Sequence, residues 1–445
     1  MKLSKKFSKE ALPAAGEKVR IKASGGIFEG IVMPRTEFSD ENYVVIKLGS
    51  GYNIGINTGE ILDIERLGVV FSDAAGTSAG DAKKEKIKSP EGVRDSSGKK
   101  ISVIGTGGTI ASRVDYITGG VHSAFSTDEL IGAVPEIADI ADIHGVQVFN
   151  KFSENMNPGD WVIIARNVYE QIRQGAEGVV IMHGTDTMGY TSAALSFMLS
   201  ADVPVVLTGA QRSSDRGSSD AAQNLINSVT AASSLDMGGV FVVMHGESSD
   251  SFGLIHPGTK VRKMHSSRRD AFKTVNDLPV GKVYGGKVEF FENSNSYTFL
   301  KERKTGELKI DGKLEEKVAL VKYFPGMSCD IIDNLINLNY RGIVIEGTGL
   351  GHVNENLIDI LKVAVDRSVA VFMSSQTLYG RVNMRVYSTG RKLLKAKVVP
   401  CEDMLSETAL VKLMWVLGHT QEIEKVNEMM LTNYAGEFSE RTIIE

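Results

Sequence analysis

Ile101-Ser102-Val103-Ile104-Gly105-Thr106-Gly107-Gly108-Thr109-Ile110 and, further on, Val179-Val180-Ile181-Met182-His183-Gly184-Thr185-Asp186-Thr187 decide the fold. Each is an apolar, β-branched run that enters a glycine-rich turn and is followed by a helical pattern. An α/β fold presents a side chain or a backbone amide at the carboxyl edge of its sheet in this way. Two such turns at one edge can face one substrate.

The same rhythm continues outward. Strands are expected at Val103 to Gly108, Gly178 to Met182, Val205 to Thr208 and Val240 to Met244, with helices from about Thr191 to Leu199 and Ala221 to Ala232. Strands alternating with helices imply crossover connections and a parallel sheet covered on both faces. The polar stretch Asn293 to Glu316 interrupts the pattern. A second, shorter α/β unit follows, with strands near Val318 to Val321, Gly342 to Ile345 and Ala370 to Met373, and helices near Cys329 to Asn337 and Asn356 to Val365. Helices from about Glu407 to Leu417 and Thr420 to Met430 complete it. Upstream, Glu17 to Leu67 alternates apolar and polar residues in short bursts split by Gly25-Gly26 and Gly49-Ser50-Gly51, the pattern of a small, strongly bent antiparallel barrel suited to binding. From Ser72 to Lys100 there is almost nothing apolar to bury, as in a connector. The expected organisation is an SH3-like β-barrel over 1–71, a linker over 72–99, a larger α/β unit with the chemistry over 100–300 and a smaller α/β unit with the tail over 301–445.

The chain has 445 residues, 42% of them hydrophobic and 24% charged, enough for substantial cores and unlike a disordered scaffold. A formal net charge of -5 gives no bulk drive toward nucleic acid, so any RNA contact must be local or made through a partner. The two cysteines, Cys329 and Cys401, fit neither a disulfide framework nor a zinc ligand set, and a reducing cytosol is the simplest setting. No secretory leader and no stretch long and apolar enough to span a bilayer is seen, so a soluble intracellular protein is expected.

Glycines after a strand invite a nucleotide-binding reading of Gly105 to Thr109. The dinucleotide pattern fails at Ile110, and no lysine follows as a phosphate loop of the Walker type requires. Read alone, the first turn is a tight turn with an incidental Thr109, and Thr185, Asp186 or Thr187 is a helix cap. The catalytic reading needs a base, because a threonine hydroxyl attacks only once its proton is removed; a lysine of depressed pKa serves. Spacing alone does not choose that lysine, and Lys263 in Val261-Arg262-Lys263-Met264-His265 reads equally as part of a solvated basic cluster.

Taken together, the stretch from Ile101 to about Gly436 resembles the L-asparaginase/glutaminase amidohydrolases. Thr106-Gly107-Gly108-Thr109-Ile110 and His183-Gly184-Thr185-Asp186-Thr187 look like that family's two signatures. Further likeness runs through Thr208-Gly209-Ala210-Gln211-Arg212, Asp220 with Asn224-Leu225, and Gly347-Thr348-Gly349-Leu350-Gly351. The resemblance implies Thr109 as the nucleophile, with Thr185, Asp186 and Lys263 as the group that moves the proton. Asp186 would also grip the substrate's α-ammonium, and Ser153-Glu154 would hold its α-carboxylate and α-amine. Tyr116 would lie in a mobile loop over the nucleophile, hinged at Gly119-Gly120. No metal is implied. Lys263 as a base calls for burial or a cationic neighbour such as Arg262, since Asp186 alone would keep it charged. Leu350 stands where secreted relatives place a polar side chain from a neighbouring subunit, and Glu154 replaces a glutamine.

The whole chain, extension included, is similar to the D-subunit family of archaeal glutamyl-tRNA(Gln) amidotransferases, Lys47 to Ile56 carrying the likeness of the barrel. The resemblance implies an amidase that frees ammonia from glutamine, or asparagine, for a partner E subunit. That partner would use ATP and Mg²⁺ to convert Glu-tRNA(Gln) into Gln-tRNA(Gln), so this chain needs no cofactor of its own. It also implies a heteromer with two copies of each subunit, a homodimer of this chain within it, tRNA(Gln) held mainly through the partner, and no membrane contact. Two other readings stay open: a free-standing cytosolic asparaginase/glutaminase, and a non-catalytic binding protein on the same fold.

Overall fold

A computed structural model of the chain describes residues 12–33, 42–48, 53–69, 98–114, 121–123, 126–213, 219–303 and 307–441. Tyr116, the Gly119-Gly120 pair and residues 72–97 of the connector lie outside them.

The larger unit is built on an eight-stranded sheet whose strands run, across the sheet, Lys287–Phe290, Gly281–Tyr284, Phe252–Pro257, Gly239–His245, Pro204–Thr208, Gly178–Met182, Lys100–Gly107 and Asp142–Lys151. The last five of these are parallel. The first three are antiparallel, which the alternating rhythm does not foretell. The central strands are buried on both faces, as their unbroken Val and Ile runs require. One face is covered by the helices Pro158–Arg173 and Met188–Met198, packed with Ile104, Ile181 and Leu207. The other is covered by Ala221–Ser234, packed with Val103, Val180 and Val206. The polar stretch after residue 293 is not featureless: Ser294 caps a helix over Asn295–Glu302 through Tyr297 N–H.

The smaller unit is a parallel sheet of Val318–Lys322, Gly342–Gly347, Ala370–Ser375 and Val399–Pro400. Its helices include Asp330–Asn337, Asn356–Asp366 and Ser406–Leu417. The amino-terminal unit is a five-stranded antiparallel sheet around Val19, Ile21, Val44, Ile46, Ile56 and Ile61, in which Glu17–Ala23 pairs with both Gly26–Val32 and Ile61–Val69.

The two α/β units are locked by buried charge. Lys260, in the larger unit, lies 3.2 Å from Asp403 in the smaller, and both side chains are buried. The other oxygen of Asp403 accepts the Ser439 N–H at 2.8 Å. The segment after the Ile423–Met430 helix is tied down in the same way. Lys412 and Glu437, both fully buried, pair at 2.5 Å, and the ammonium also donates to the Met430 and Thr432 carbonyls at 2.7 Å. Ala435 O receives the Thr259 hydroxyl, so this segment touches both units. A buried charge is tolerable only with such full pairing. Glu437→Gln, which leaves the Lys412 ammonium without its counter-charge, is expected to cost about 3–5 kcal/mol, read as a lower unfolding midpoint in heat or denaturant.

Candidate active site

Backbone contact creates the site. The Lys100–Gly107 and Gly178–Met182 strands run in parallel register, Gly105 beside Met182, so the two glycine turns leave the sheet side by side. The Thr106 hydroxyl donates to the Met182 carbonyl at 2.8 Å and pins the strand ends. Gly107 and Gly108 then take φ values of +103° and +80°, open to glycine at little cost. A Cβ on Gly108 would stand 2.4 Å from the Gly184 Cα, and one on Gly107 would stand 2.4 Å from the Lys151 carbonyl oxygen. Thr109 is thereby set, part-exposed, immediately after the point where the two turns touch.

The second turn carries the polar group. Lys263 Nζ donates to Thr185 Oγ1 at 2.9 Å and to Asp186 Oδ1 at 2.7 Å. Thr185 is buried, Lys263 nearly so, and Asp186 is open to solvent. Ser153 is buried below them. Its hydroxyl oxygen accepts the Asp186 N–H at 3.2 Å, and its carbonyl accepts the Thr187 hydroxyl at 2.7 Å. Thr187 is the first residue before the Met188–Met198 helix but makes no capping bond, so the simple helix-cap explanation of this turn fails. Glu154 is exposed next to Ser153.

The structure thus brings Thr185, Asp186, Lys263 and Ser153 into one hydrogen-bonded group beside the turn that bears Thr109. Arg262 is not part of it. Neighbouring residues of a strand point to opposite faces, and Arg262 pairs with Glu407 at 2.9 Å instead of facing Lys263. What sequence reading missed is His183, fully buried, which bonds the Gly184 carbonyl at 2.7 Å and the Thr191 hydroxyl at 3.0 Å. It braces the second turn against the helix behind it, and its place directly after an apolar strand is the only signal that hints at this. Burial depresses its pKa from 6.5 to about 4, so it is a neutral brace.

Asp220 and Asn224, read as part of the likeness, take structural roles. The Asp220 carboxylate accepts the Gln211 and Arg212 amides at 3.0 Å, and the Asn224 amide donates to the Gly209 carbonyl at 2.9 Å. In the smaller unit the Gly347 to Gly351 turn closes on itself through Thr348 and His352, and the Leu350 carbonyl accepts the Asn383 N–H at 2.9 Å. Among the described residues, no group of three or more His, Cys, Asp or Glu side chains is placed to hold a metal ion. No helix among them is long and apolar enough to cross a membrane.

Comparison with known proteins follows this division. Residues 100–296 match the family Asparaginase, N-terminal; residues 317–430 match the Glutaminase/Asparaginase C-terminal domain; residues 14–67 match the GatD N-terminal domain. The D subunit of the glutamyl-tRNA(Gln) amidotransferase from Pyrococcus furiosus is 55% identical over 96% of this chain and 93% of its own. The protein of the same name from Methanothermobacter thermautotrophicus is 48% identical over 99% of this chain and 98% of its own. Among solved structures, the thermostable L-asparaginase from Thermococcus kodakarensis is 34% identical with a TM-score of 0.67, covering 77% of this chain and 100% of its own. A probable cytoplasmic L-asparaginase from Campylobacter jejuni is 30% identical with a TM-score of 0.63, covering 75% and 100%.

Two outcomes follow from this geometry. Gly108→Ala, which forces the two turns apart on the scale of 1 Å, is expected to lower kcat for amide hydrolysis by about 100-fold, as measured by ammonia release. His183 takes a proton at 6.5 when unfolded and only at about 4 when folded, so its contribution to stability is complete above that window and falls as the pH drops through it. The slope is about 1.4 kcal/mol per pH unit. His256, buried and lowered to about 3, adds a second share. Unfolding midpoints measured across mildly acidic pH should fall accordingly, and His183→Gln should flatten part of the slope.

Proposed function

The chain belongs to the family of glutamyl-tRNA(Gln) amidotransferase D subunits, whose body is that of an asparaginase, and from this premise we propose that it frees ammonia from an amino-acid amide for a partner subunit. Glutamine is the working donor and asparagine is tolerated. The partner activates the γ-carboxylate of glutamate carried on tRNA(Gln) and receives the ammonia. ATP and Mg²⁺ belong to that second step.

One observation supports the reading: Gly108 meets Gly184, so the turn that bears Thr109 lies against the turn that bears Thr185 and Asp186, both bonded by Lys263. A primary amide is a sluggish electrophile, so it needs a positioned nucleophile and amide donors aimed at the oxyanion. Thr109 Oγ attacks the carboxamide carbon. The carbon–nitrogen bond breaks, ammonia leaves with the proton it gains, and an acyl ester remains on Thr109. Water then cleaves the ester to the acid and restores the hydroxyl.

Lys263 and Thr185 relay the proton. At rest Lys263 donates to both Thr185 and Asp186; to accept a proton it must be the neutral amine, with its lone pair turned to the Thr185 hydroxyl in place of the donation seen at rest. A substrate α-ammonium arriving at the exposed Asp186 carboxylate takes over that acceptor and leaves Lys263 turned to Thr185. Ser153, already accepting from the Asp186 amide, keeps its own hydroxyl proton for the substrate's α-carboxylate, with Glu154 and Tyr116 completing the grip.

The solved asparaginases are covered over their full length by 77% or less of this chain, whereas residues 14–67 match a separate family. The amidase body is therefore whole without that module, which belongs to assembly with the partner, the tRNA or a second copy. Two copies of each subunit, joined through a two-fold dimer of this chain, are the assembly we expect. In the complex, Thr109→Ala should abolish glutamine-dependent formation of Gln-tRNA(Gln) yet leave free ammonium usable. Continued ammonia release from glutamine by that variant would sink the assignment.

A further inference from the structure

A second hydrogen-bonded line runs behind the catalytic group, and its centre is His245, at the end of the Gly239–His245 strand and fully buried. Its Nδ1 lies 2.6 Å from Asn224 Oδ1 and its Nε2 lies 3.0 Å from Asp250 Oδ1. The orientation of the Asn224 amide is fixed, because its nitrogen donates to two acceptors, the Gly209 carbonyl at 2.9 Å and Asp220 Oδ2 at 3.1 Å. Asn224 Oδ1 therefore only accepts, and Nδ1 must carry a hydrogen. Nε2 faces a carboxylate oxygen of Asp250 that also receives Arg269 Nη1 at 2.9 Å. A neutral imidazole has a single N–H, whereas here both ring nitrogens meet acceptors. The partners dictate an imidazolium.

Arg269 belongs to the tip of the hairpin whose strands are Val261–Lys263 and Phe272–Thr274, Lys263 pairing with Phe272. Its Nη1 also reaches the Ser248 carbonyl at 3.4 Å. The hairpin root is held separately by the buried Lys260–Asp403 pair. The tip is tied to the sheet through Arg269, Asp250 and His245. Among the described residues, the charged groups joined to the ring or its partners are Asp250, Arg269 bonded to Asp250, and Asp220 bonded to Asn224; Glu247, on the same stretch of chain, receives the Ser249 hydroxyl.

We propose that His245 is a positioning residue for ammonia release: as an imidazolium it clamps Asp250, and through Asp250 and Arg269 it holds the hairpin that delivers Lys263 to Thr185. The inference rests on Lys263 acting in the reaction.

The test uses the full chain with its partner subunit, glutamine as substrate, and kcat and KM measured separately at neutral pH. His245→Gln and Arg269→Met should each lower kcat about tenfold with KM little changed, and Arg269→Lys should restore most of the loss. Because the residues act in series, the double variant should be no worse than the poorer single one. Wild-type kcat in both single variants, multiplying losses in the double, or no rescue by Arg269→Lys would overturn the clamp. Should His245→Gln fail to fold, the Arg269→Met and Arg269→Lys pair decides alone. Lys263→Met separates the two levels: full activity there removes the catalytic reading, whereas an inactive Lys263→Met beside fully active Arg269 and His245 variants removes only the clamp.

Discussion

The main chain of Gly108 lies against the main chain of Gly184, and the rest of the site is arranged around that contact. Two parallel strands end level with each other, and only residues without a Cβ let the turns that follow meet. The nucleophile candidate is thus placed by covalent geometry and backbone packing, with no flexible side chain between it and the sheet. Such placement is stiff, because a backbone cannot hop between rotamers. It suits a reaction whose barrier is lowered mainly by alignment and by amides already aimed.

The lysine arrives by a different route. It stands on a hairpin that leaves the larger unit and is held at its root by a carboxylate of the smaller one, Asp403, while the adjacent Arg262 reaches Glu407 at the start of the Ser406–Leu417 helix. Among the described residues, the smaller unit supplies none of the hydrogen bonds to Thr185 or Asp186, yet it holds the root of the hairpin on which their partner stands. Buried and half-buried ion pairs add little net stability over apolar packing, but breaking one is costly. Their value here lies in fixing a single relation between the two units.

Much of this was legible in the residues. The apolar runs before each glycine turn announced strands of a parallel sheet, and the helices at Ala221 and Asn356 begin where periodicity put them. The order of two glycine motifs pointed to the asparaginase family. The antiparallel edge was not legible, because Phe252–Pro257 and Gly281–Tyr284 are short and carry no crossover helix to mark their direction. Of the two conditions the sequence sets for Lys263, burial or a cationic neighbour such as Arg262, adjacency alone does not show which holds: the strand turns Arg262 away to Glu407, while Lys263 is nearly buried. His183 and His245 were passed over for a related reason. A histidine after an apolar strand looks the same whether it is a neutral brace or a doubly donating link, and only its partners distinguish the two.

The Lys412–Glu437 pair has a consequence for how the chain matures. Synthesis is vectorial, and Lys412 emerges before the carboxylate that neutralises it. Without Glu437 in place, the Ser406–Leu417 helix cannot bring that ammonium into the interior without an uncompensated charge. Burial of that ammonium and docking of the segment after the Ile423–Met430 helix are therefore one event, since the same segment brings the carboxylate and the Thr432 carbonyl that receive it.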